Sequence, residues 1–287
     1  MIFVTDFDGT LYSDNHTVSS VDLKTLEKLG SFKIKRIIAT GRSYFSALKV
    51  IPAQFPIDYL IFSSGAGIMD WKNQKIIKSY SLNKIQIETT VKVLKENKYD
   101  FMIHKKIPDN HYFSYYKAPA ESSIKTGDFE SRCAIYSDFC KELDDKTLAE
   151  IQEASQFVVV IPCDNLSHAE TYEELKEKLK KADGLNIIRT TSPIDKKTLW
   201  IEIFPKDVSK ALGIKTIADL LSEDYKNIAV VGNDFNDLDM LKWVKNSYVV
   251  DNAPAELKKE FITVKSNNEN GFTDAVNHYL KKSGWSD

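Results

Sequence analysis

Two acidic residues near the N-terminus, Asp6 and Asp8, are the first side chains of this chain that could do chemistry. They follow the apolar run 2–4, which is typical of a short buried strand, so both carboxylates are expected where a strand ends. Carboxylates this close repel each other unless a cation or a buried proton compensates. A hard divalent ion held by oxygen atoms would compensate and would suit an anionic substrate such as a phosphate ester. The same residues also fit a plain turn closed by an Asx hydrogen bond.

The five residues from Asp6 to Thr10 divide into chemical and conformational roles. Asp6 comes first after the strand and is the better candidate for a nucleophile that attacks phosphorus. Asp8 could protonate the leaving oxygen and then activate water. Gly9 allows a close turn, and Thr10 can hydrogen-bond a neighbouring carboxylate.

Two further strand ends carry small polar residues. Thr40-Gly41-Arg42 follows the predicted strand 34–39, and Ser63-Ser64-Gly65 follows the predicted strand 59–62. A hydroxyl followed by a glycine N–H at the start of a helix can hold an anion. The alternative for this pattern is an ordinary helix cap followed by a turn.

The last third of the chain adds a lysine and an acidic loop. Lys206 and Lys210 lie at a predicted helix start, and a lysine there could neutralise a phosphate and keep a carboxylate ionised. The loop 232–237 reads Gly-Asn-Asp-Phe-Asn-Asp and follows another apolar strand. An acidic helix cap would explain it. We favour a second acidic loop that joins Asp6 and Asp8 at one edge of a parallel sheet and helps to hold a metal.

Strands and helices alternate at both ends of the chain, which favours a doubly wound parallel α/β sheet. The N-terminal patterns predict strands 2–4, 34–39 and 59–62, helices 18–29 and 43–50, and a hairpin over 68–80. The C-terminal patterns predict helices 209–221, 238–243, 255–261 and 272–280, and strands 228–231, 247–250 and 262–264. Between them we predict strands 101–104, 111–116, 132–137, 157–162, 185–190 and 199–204, with helices 85–97, 144–154 and 170–181. This middle region predicts a separate, inserted α+β unit.

The composition indicates which partners and which compartment to expect. The chain has 287 residues, a formal net charge of -2 and no long basic block, so we expect neither nucleic acid nor a membrane as a partner. Its three cysteines, Cys133, Cys140 and Cys163, form no C-x-x-C pair and predict free thiols in a reducing compartment. We therefore expect a cytoplasmic protein, as a monomer or small homo-oligomer, that acts on a small phosphorylated metabolite.

The order of the motifs, D-x-D-G-T, T-G-R, lysine and G-N-D-x-N-D, resembles that of the haloacid dehalogenase (HAD) superfamily of phosphatases. The closest resemblance is to the Cof-type branch, subfamily IIB, and it spans essentially the whole chain. It implies a Rossmann-like core domain, at 1–82 and 206–287, and an inserted α+β cap of the C2B type at 83–205.

The resemblance also implies roles for particular residues. Asp6 resembles the nucleophile, Asp8 the acid and base, and Lys210 the family lysine. Expected contacts to the phosphate or the rest of the substrate come from Thr40, Gly41, Arg42, Ser64, Gly65 and Lys210. The family holds Mg²⁺ by the first Asp side chain, the backbone carbonyl of the second, and an acid in the fourth motif. The candidate metal ligands are therefore Asp6, Asp8, Asn233, Asp234 and Asp237.

Two positions depart from the family pattern. The fourth motif commonly reads G-D-x-x-N-D, which aligns the metal-binding Asp with Asn233. Either Asn233 takes this position with Asp237 in support, or Asp234 replaces it, and the uncharged amide would weaken metal binding. The third strand is often followed by N-G-A, where this chain has Ser64-Gly65-Ala66. A substrate contact made by Asn is then lost or replaced by water.

These features predict a Mg²⁺-dependent phosphatase for small phosphate monoesters, sugar phosphates first, that works through an aspartyl-phosphate. One alternative is a phosphomutase or phosphotransferase with the same nucleophile, although the inserted unit offers only Arg132 and Arg189 for a second phosphate. Another is a phosphosugar-binding protein without turnover. Aromatic and histidine side chains of the insert could contact a sugar or belong to an ordinary strand: His104, His111, Tyr112, Tyr115 and Tyr116.

Overall fold

The computed structural model describes residues 1–119, 128–161, 168–192, 194–195 and 197–284. The chain divides into two compact units. The first comprises Met1–Arg42, Ala47–Ser79 and Ser209–Asp287, and the second comprises Ser43–Ser46 and Tyr80–Val208. These boundaries lie three residues from the expected ones, 82/83 and 205/206, and the short segment 43–46 groups with the inserted unit.

The strands within the described residues are as follows, in chain order: β1 (Ile2–Thr5), β2 (Lys35–Ala39), β3 (Tyr59–Phe62), β4 (Gly67–Asp70), β5 (Lys75–Ser79), β6 (Leu82–Asn83), β7 (Asp100–His104), β8 (Phe113–Tyr116), β9 (Cys140–Glu142), β10 (Glu153–Ala154), β11 (Gln156–Ile161), β12 (Leu185–Thr191), β13 (Leu199–Pro205), β14 (Ile228–Gly232), β15 (Asn246–Val250) and β16 (Ile262–Val264). The α-helices there are α1 (Ser20–Ser31), α2 (Tyr44–Leu48), α3 (Lys84–Glu96), α4 (Phe129–Ile135), α5 (Asp145–Glu150), α6 (His168–Leu179), α7 (Lys210–Leu220), α8 (Leu238–Trp243), α9 (Ala255–Glu260) and α10 (Gly271–Lys282).

The first unit is built on one sheet with the strand order β16-β15-β14-β1-β2-β3-β4-β5. The strands from β16 to β3 run parallel, and β4 and β5 add an antiparallel hairpin at one edge. β1 lies in the middle, with β14 on one side and β2 on the other. The carboxyl ends of these neighbouring strands therefore share one edge of the sheet, where ligands bind in folds of this kind.

Helices cover both faces of this sheet, and the alternation of β1 shows why. Ile2 and Val4 point to one face and pack in a cluster with Ile214 and Ile217 of α7. Phe3 points to the other face, where its ring meets the Phe272 ring of α10 at a centroid distance of 5.5 Å. Every residue of β1 is buried, as expected for a strand with helices on both sides. The predicted doubly wound α/β fold is confirmed.

The second unit contains a six-stranded sheet within its described residues, with the order β12-β13-β11-β7-β8-β9. All its pairings are antiparallel except that of β8 with β9. One face carries Phe101, Phe157 and Ile201, which pack with residues of α3 and α6. The opposite face carries Met102, Val158 and Trp200, which pack against Phe129 of α4. A two-stranded ribbon of β6 and β10 completes this α+β arrangement.

Two predictions for the inserted unit are wrong. The segment 132–137 was predicted as a strand, but the structure has the helix α4 up to Ile135. Its inward contacts are made by Phe129, Cys133 and Tyr136, which recur at the i, i+4 and i+7 spacing of a helix face. The predicted helix 144–154 ends at Glu150, because Glu153 and Ala154 pair with β6 as a strand instead.

Other sequence expectations concern the cysteines and membranes. Cys133 and Cys140 are free thiols, and burial raises the pKa of Cys133 to about 12. Cys163 and the predicted strand end at Pro162 lie outside the described residues. None of the helices in the described part of the chain is long and apolar enough to cross a membrane.

Candidate active site

The candidate site lies at the carboxyl ends of β14, β1, β2 and β3, which are adjacent in the sheet of the first unit. The backbone N–H of Asp6 donates to Val231 at 2.9 Å, so β1 and β14 stay paired up to the first catalytic candidate. The backbone N–H of Thr40 likewise donates to Ile61 at 2.9 Å, which links the ends of β2 and β3. Segments far apart in the chain are thereby held side by side.

Lys210 joins the first and fourth motifs at the centre of the site. Its Nζ donates to Asp6 Oδ1 at 2.7 Å and to Asp237 Oδ1 at 2.6 Å. The Lys210 side chain is 0% exposed, the Asp237 side chain 0% and the Asp6 side chain 6%, so these are buried charges. The lysine opens α7, where Ser209 caps the helix by accepting from the backbone N–H of Leu212 at 3.2 Å.

One ammonium group therefore serves two buried carboxylates. Burial raises the pKa of Asp6 to about 7, although the attraction of Lys210 opposes this rise and Asp237 adds to it. Burial also opposes the charge on Lys210, but Asp237 and Asp6 outweigh it and raise the pKa of the lysine. A further cation beside Asp6 would favour its carboxylate form, which is the form a nucleophile needs.

Asp8 has a different partner from Asp6. Arg42 holds the Asp8 carboxylate through two bonds, from Nε to Oδ2 at 2.7 Å and from Nη2 to Oδ1 at 2.6 Å. The guanidinium carbon also lies 5.6 Å from the centre of the Phe7 ring and 5.8 Å from that of Tyr12. Arg42 was predicted to contact the substrate, and the structure adds a role that the sequence did not indicate, which is to orient Asp8.

The ends of β2 and β3 form a compact polar loop pair. Thr40 Oγ1 accepts from the backbone N–H of Arg42 at 3.1 Å, and the Thr40 carbonyl accepts from the N–H of Ser64 at 3.0 Å. A Cβ on Gly41 would lie 3.6 Å from Ser64 Oγ and 3.7 Å from Asn236 Nδ2. The backbone of Gly41 is therefore flanked by a hydroxyl and an amide that can donate hydrogen bonds, an arrangement suited to an oxyanion.

The loop after β3 adopts an uncommon backbone conformation. Ser63, Ser64 and Gly65 have φ values of +48°, +53° and +108°, so three successive residues lie at positive φ. Non-glycine residues in this region carry strain, which concentrates at functional sites. A Cβ on Gly65 would lie 2.3 Å from the backbone oxygen of Ser209, so only glycine lets this loop pack against the start of α7.

Three oxygen atoms from two motifs converge beside Asp6 and could hold a metal ion. One terminal atom of the Asn233 amide lies 3.1 Å from Asp6 Oδ2 and 3.2 Å from the backbone oxygen of Asp8. Mg²⁺ binds oxygen atoms at 2.0–2.1 Å in an octahedron, so adjacent ligand oxygens around it are about 3 Å apart. The separations and the oxygen chemistry of Asp6, Asp8 and Asn233 therefore fit Mg²⁺.

The other two candidate ligands are engaged elsewhere. Asp234 Oδ1 accepts from the N–H of Phe235 at 2.7 Å. Asp237 Oδ2 accepts from the N–H groups of Asn233 and Asp234 at 2.8 and 3.2 Å, and its other oxygen binds Lys210. Among the residues that the structure describes, no three His, Cys, Asp or Glu side chains are grouped to hold a metal. A metal here depends on amide and backbone oxygens as well as on Asp6.

The combination of a buried carboxylate, a lysine and an acidic loop can be compared with known families. The sequence profile of the haloacid dehalogenase-like hydrolases matches residues 3–276. The chain belongs to this family. The predicted membership and the prediction of a hydrolase are thus confirmed.

Relatives of this HAD hydrolase carry phosphatase names. A Haemophilus influenzae protein named "Putative phosphatase" is 25% identical over 268 residues, which are 93% of each chain. The phosphatase BT1666 from Bacteroides thetaiotaomicron has a similar solved structure, with a TM-score of 0.76 and 21% identity over 97% of this chain and 94% of that one. The HAD subclass IIB sugar phosphatase BT4131 has a TM-score of 0.73 and 19% identity, and the match covers 99% of each chain. At these identities the structures show a shared fold.

Sequence analysis of the hydrolase missed Asn236, and it chose Lys210 over Lys206 only by the resemblance. Asn236 stands in the fourth motif, but its approach to Gly41 depends on the sheet order β14-β1-β2, which no local pattern reveals. Of the two lysines, Lys210 is buried against Asp6, whereas Lys206 is exposed and belongs to the second unit.

The histidines and tyrosines for which a sugar contact and an ordinary strand were both considered lie within the second unit of the hydrolase. The rings of His111 and Phe45 stack at a centroid distance of 4.3 Å. His104 is 4% exposed in β7, and its Nδ1 pairs with the backbone oxygen of Asn110 at 2.8 Å. Tyr115 and Tyr116 belong to β8, which pairs with β7 in the sheet. These contacts account for the residues as parts of the fold.

Proposed function

We propose that this HAD hydrolase is a Mg²⁺-dependent phosphatase that hydrolyses small phosphate monoesters, with sugar phosphates as the main class. The observation that carries the proposal is the buried Asp6 carboxylate, which Lys210 holds at 2.7 Å. It lies at the same sheet edge as the donors around Gly41. A fixed carboxylate beside an anion-binding loop is what an attack on a phosphoryl group requires.

The first chemical step transfers the phosphoryl group to the protein. An Asp6 oxygen forms a bond to phosphorus while the ester bond between phosphorus and the alcohol oxygen breaks. The electron pair leaves with that oxygen, and Asp8, which takes up a proton from solvent before this step at its 42% exposed side chain, supplies the proton that makes it an alcohol. For this, Asp8 exchanges an Arg42 contact for the leaving oxygen, while the other Arg42 bond keeps the carboxyl group in place.

The second step returns Asp6 to its starting state. Asp8 takes a proton from water, the water oxygen bonds to phosphorus, and the bond from phosphorus to Asp6 breaks to release inorganic phosphate. Lys210 remains paired with Asp6 and Asp237 throughout and offsets the negative charge at the nucleophile. Mg²⁺, held by Asp6, the Asp8 carbonyl and Asn233, would neutralise charge on the transferring phosphoryl oxygens.

The substrate class draws support from the relatives and from the site. Names of the relatives support phosphate-ester hydrolysis, and one structural neighbour is a sugar phosphatase. Thr40, Gly41, Ser64 and Asn236 offer neutral donors, which suit the oxygens of a phosphate group. Sugar phosphates are therefore the first compounds to test.

The proposal is tested by phosphate release from a panel of sugar phosphates, with Mg²⁺ or with a chelator. The variants are Asp6→Asn, which removes the nucleophile, and Asp219→Asn, which makes the same change on the surface of α7. We expect metal-dependent turnover, a loss of about a thousandfold or more in Asp6→Asn, and unchanged turnover in Asp219→Asn. An Asp6→Asn variant that folds and retains activity would refute the mechanism.

The panel also separates the alternatives. A phosphotransferase would move phosphate to a second sugar added to the assay with little release to water, and a binding protein would retain ligand without either product. Mass spectrometry after acid quenching should find the phosphoryl group on the peptide that contains Asp6. Its detection on another residue would contradict the assignment of the nucleophile.

A further inference from the structure

Asn233 makes the least usual contacts of the site. One terminal atom of its amide lies 3.1 Å from Asp6 Oδ2, 3.1 Å from Thr10 Oγ1 and 3.2 Å from the backbone oxygen of Asp8. The amide can take two orientations related by a half-turn, and they place either the oxygen or the NH₂ group among these atoms. The two orientations have opposite electrostatic consequences.

With the amide oxygen inward, four oxygen atoms crowd together. The Thr10 hydroxyl has one proton, which it can give to Asp6 Oδ2 or to Asn233 Oδ1, each at 3.1 Å. The remaining oxygens then face each other without a donor, which is costly at a buried site. A cation among them removes that cost, and the separations match adjacent ligands of Mg²⁺, about 3 Å apart.

With the NH₂ group inward, the amide itself supplies the positive charge density. Its two N–H groups can donate to Asp6 Oδ2 and to Asp8 O, with Thr10 Oγ1 also within 3.1 Å, and the amide oxygen then faces the donors on the other side. The amide thus satisfies the same oxygen atoms that a metal would bind. The NH₂ group and the cation compete for one set of acceptors, and each requires the opposite orientation of Asn233.

The backbone of Asn233 is anchored, and its amide lies against the open side of Gly9. The backbone N–H of Asn233 is anchored on Asp237 Oδ2 at 2.8 Å. A Cβ on Gly9 would lie 2.6 Å from Asn233 Nδ2, so the missing side chain at Gly9 leaves the space that the amide uses. Gly9 itself has a φ of +74°, and Asn252 Nδ2 donates to its carbonyl at 2.8 Å.

We propose that Asn233 is a metal-responsive amide switch. Without a divalent cation its NH₂ group donates to Asp6 and Asp8, and cation binding turns the amide so that its oxygen becomes a ligand. The inference rests on the Mg²⁺ dependence proposed above. It explains how the site remains satisfied without metal, and it means that metal binding must first break the amide hydrogen bonds.

The orientation is measurable by NMR on nitrogen-15-labelled protein. The Asn233 NH₂ signals are assigned by their absence from the Asn233→Asp variant. We expect slow exchange of these protons with water in the presence of a chelator, and faster exchange with a changed shift at saturating MgCl₂. NH₂ signals that stay the same, while calorimetry detects Mg²⁺ binding, would overturn the switch.

Metal affinity provides a second test with a matched control. Asn233→Asp replaces the amide by a carboxylate, and Asn236→Asp makes the same change three residues later, beside Gly41. We expect Asn233→Asp to bind Mg²⁺ about tenfold or more tightly, because it adds a charged ligand and removes the competing NH₂ group. Without metal this variant should melt at a lower temperature than wild type. Equal gains in affinity for both variants would mean that charge alone acts, and would overturn the proposal.

These results are independent of the proposed reaction. If the protein is a Mg²⁺-dependent phosphatase but its Asn233 NH₂ signals do not change on Mg²⁺ binding, the switch is refuted and the proposed function is not. A shift of the signals with Mg²⁺ in a protein that hydrolyses no ester supports the switch and counts against the phosphatase.

Discussion

Replacement of Lys210 by methionine tests whether the site depends on one buried ammonium between two carboxylates. Methionine has a similar length and no charge, so the change removes both ion pairs with little loss of volume. Asp6 and Asp237 then face each other without a counter-charge in a region where their side chains are at most 6% exposed. We expect the first unit to become markedly less stable.

The size of the loss follows from the burial of the group. Removal of one partner of a buried ion pair costs about 3–5 kcal/mol, because an uncompensated charge remains. For a unit of this size that corresponds to a fall in melting temperature of roughly 6–20 °C. Lys215→Met is the matched control, because Lys215 lies five residues later on α7 and pairs with Asp219 at the surface. Its melting temperature should hardly change, since exposed pairs contribute little.

A double-mutant cycle with Asp237→Asn isolates the interaction. Thermal and urea unfolding of wild type, the two single variants and the double variant give the coupling energy between Lys210 and Asp237. We expect the double variant to be more stable than the sum of the single losses predicts, by roughly 1–3 kcal/mol. Additive losses, or a Lys210→Met variant as stable as Lys215→Met, would refute the reasoning.

The other predictions concern backbone space and pH. Gly65→Ala should lower stability by about 2–4 kcal/mol, because its Cβ would lie 2.3 Å from the Ser209 carbonyl oxygen at a φ of +108°. Gly41→Ala meets its nearest atoms at 3.6 Å and should melt like wild type but show a raised KM, so a lowered melting temperature would contradict the spacing. Burial lowers the pKa of His104 to about 3 from 6.5, so the unfolded chain binds the extra proton and stability falls as pH drops below 6.5. Between pH 6.5 and 5 this His104 contribution amounts to a loss of about 1.6 kcal/mol, which should appear as the difference in pH dependence between His104→Gln and both wild type and the exposed His16→Gln control, because the raised pKa of Asp6 stabilises all three proteins as pH falls.

Much of the fold could be predicted because four strands of the first unit, β1, β2, β3 and β14, end at chemical motifs. β3 and β16 have the predicted bounds, and β1 and β2 differ from prediction by one residue. Buried parallel strands are continuous apolar runs, and polar or glycine residues interrupt them abruptly at the sheet edge. The pattern that predicts the strands therefore also predicts which residues share that edge.

The inserted unit was harder to predict because contacts between residues far apart in the chain determine its secondary structure. α4 contains Arg132, whose guanidinium carbon lies 4.4 Å from the centre of the Trp200 ring. That ring comes from β13, far along the chain, and no local pattern near Arg132 indicates it. The apolar run 133–136 after Arg132 was interpreted as part of a strand, but contacts of Phe129 and Tyr136 with the sheet favour a helix. Tertiary packing outweighs the local pattern here.

Which charged side chains form ion pairs with each other could not be predicted from the sequence either. Asp6 and Asp8 are two residues apart and were expected to share one compensating ion. In the structure they point to different cations, Asp6 to Lys210 and Asp8 to Arg42. A turn at Gly9, with φ of +74°, follows Asp8, and side chains on alternate residues need not share an environment once the strand has ended. The separate partners are consistent with the two different roles, nucleophile and proton carrier, that we propose for these carboxylates.

Because Asn233 is uncharged, it also affects the net charge of the site. Lys210 and Arg42 pair with three carboxylates, which leaves one net negative charge when Asp6 is ionised. A bound Mg²⁺ would turn this into one net positive charge, ready for a phosphate dianion, whereas an Asp at position 233 would leave the loaded site neutral. We therefore expect Asn233→Asp to gain affinity for Mg²⁺ and to lose affinity for phosphate, measured as inhibition by inorganic phosphate at saturating metal. Tighter binding of both Mg²⁺ and phosphate by this variant would contradict the expectation that the amide lowers Mg²⁺ affinity and raises phosphate affinity.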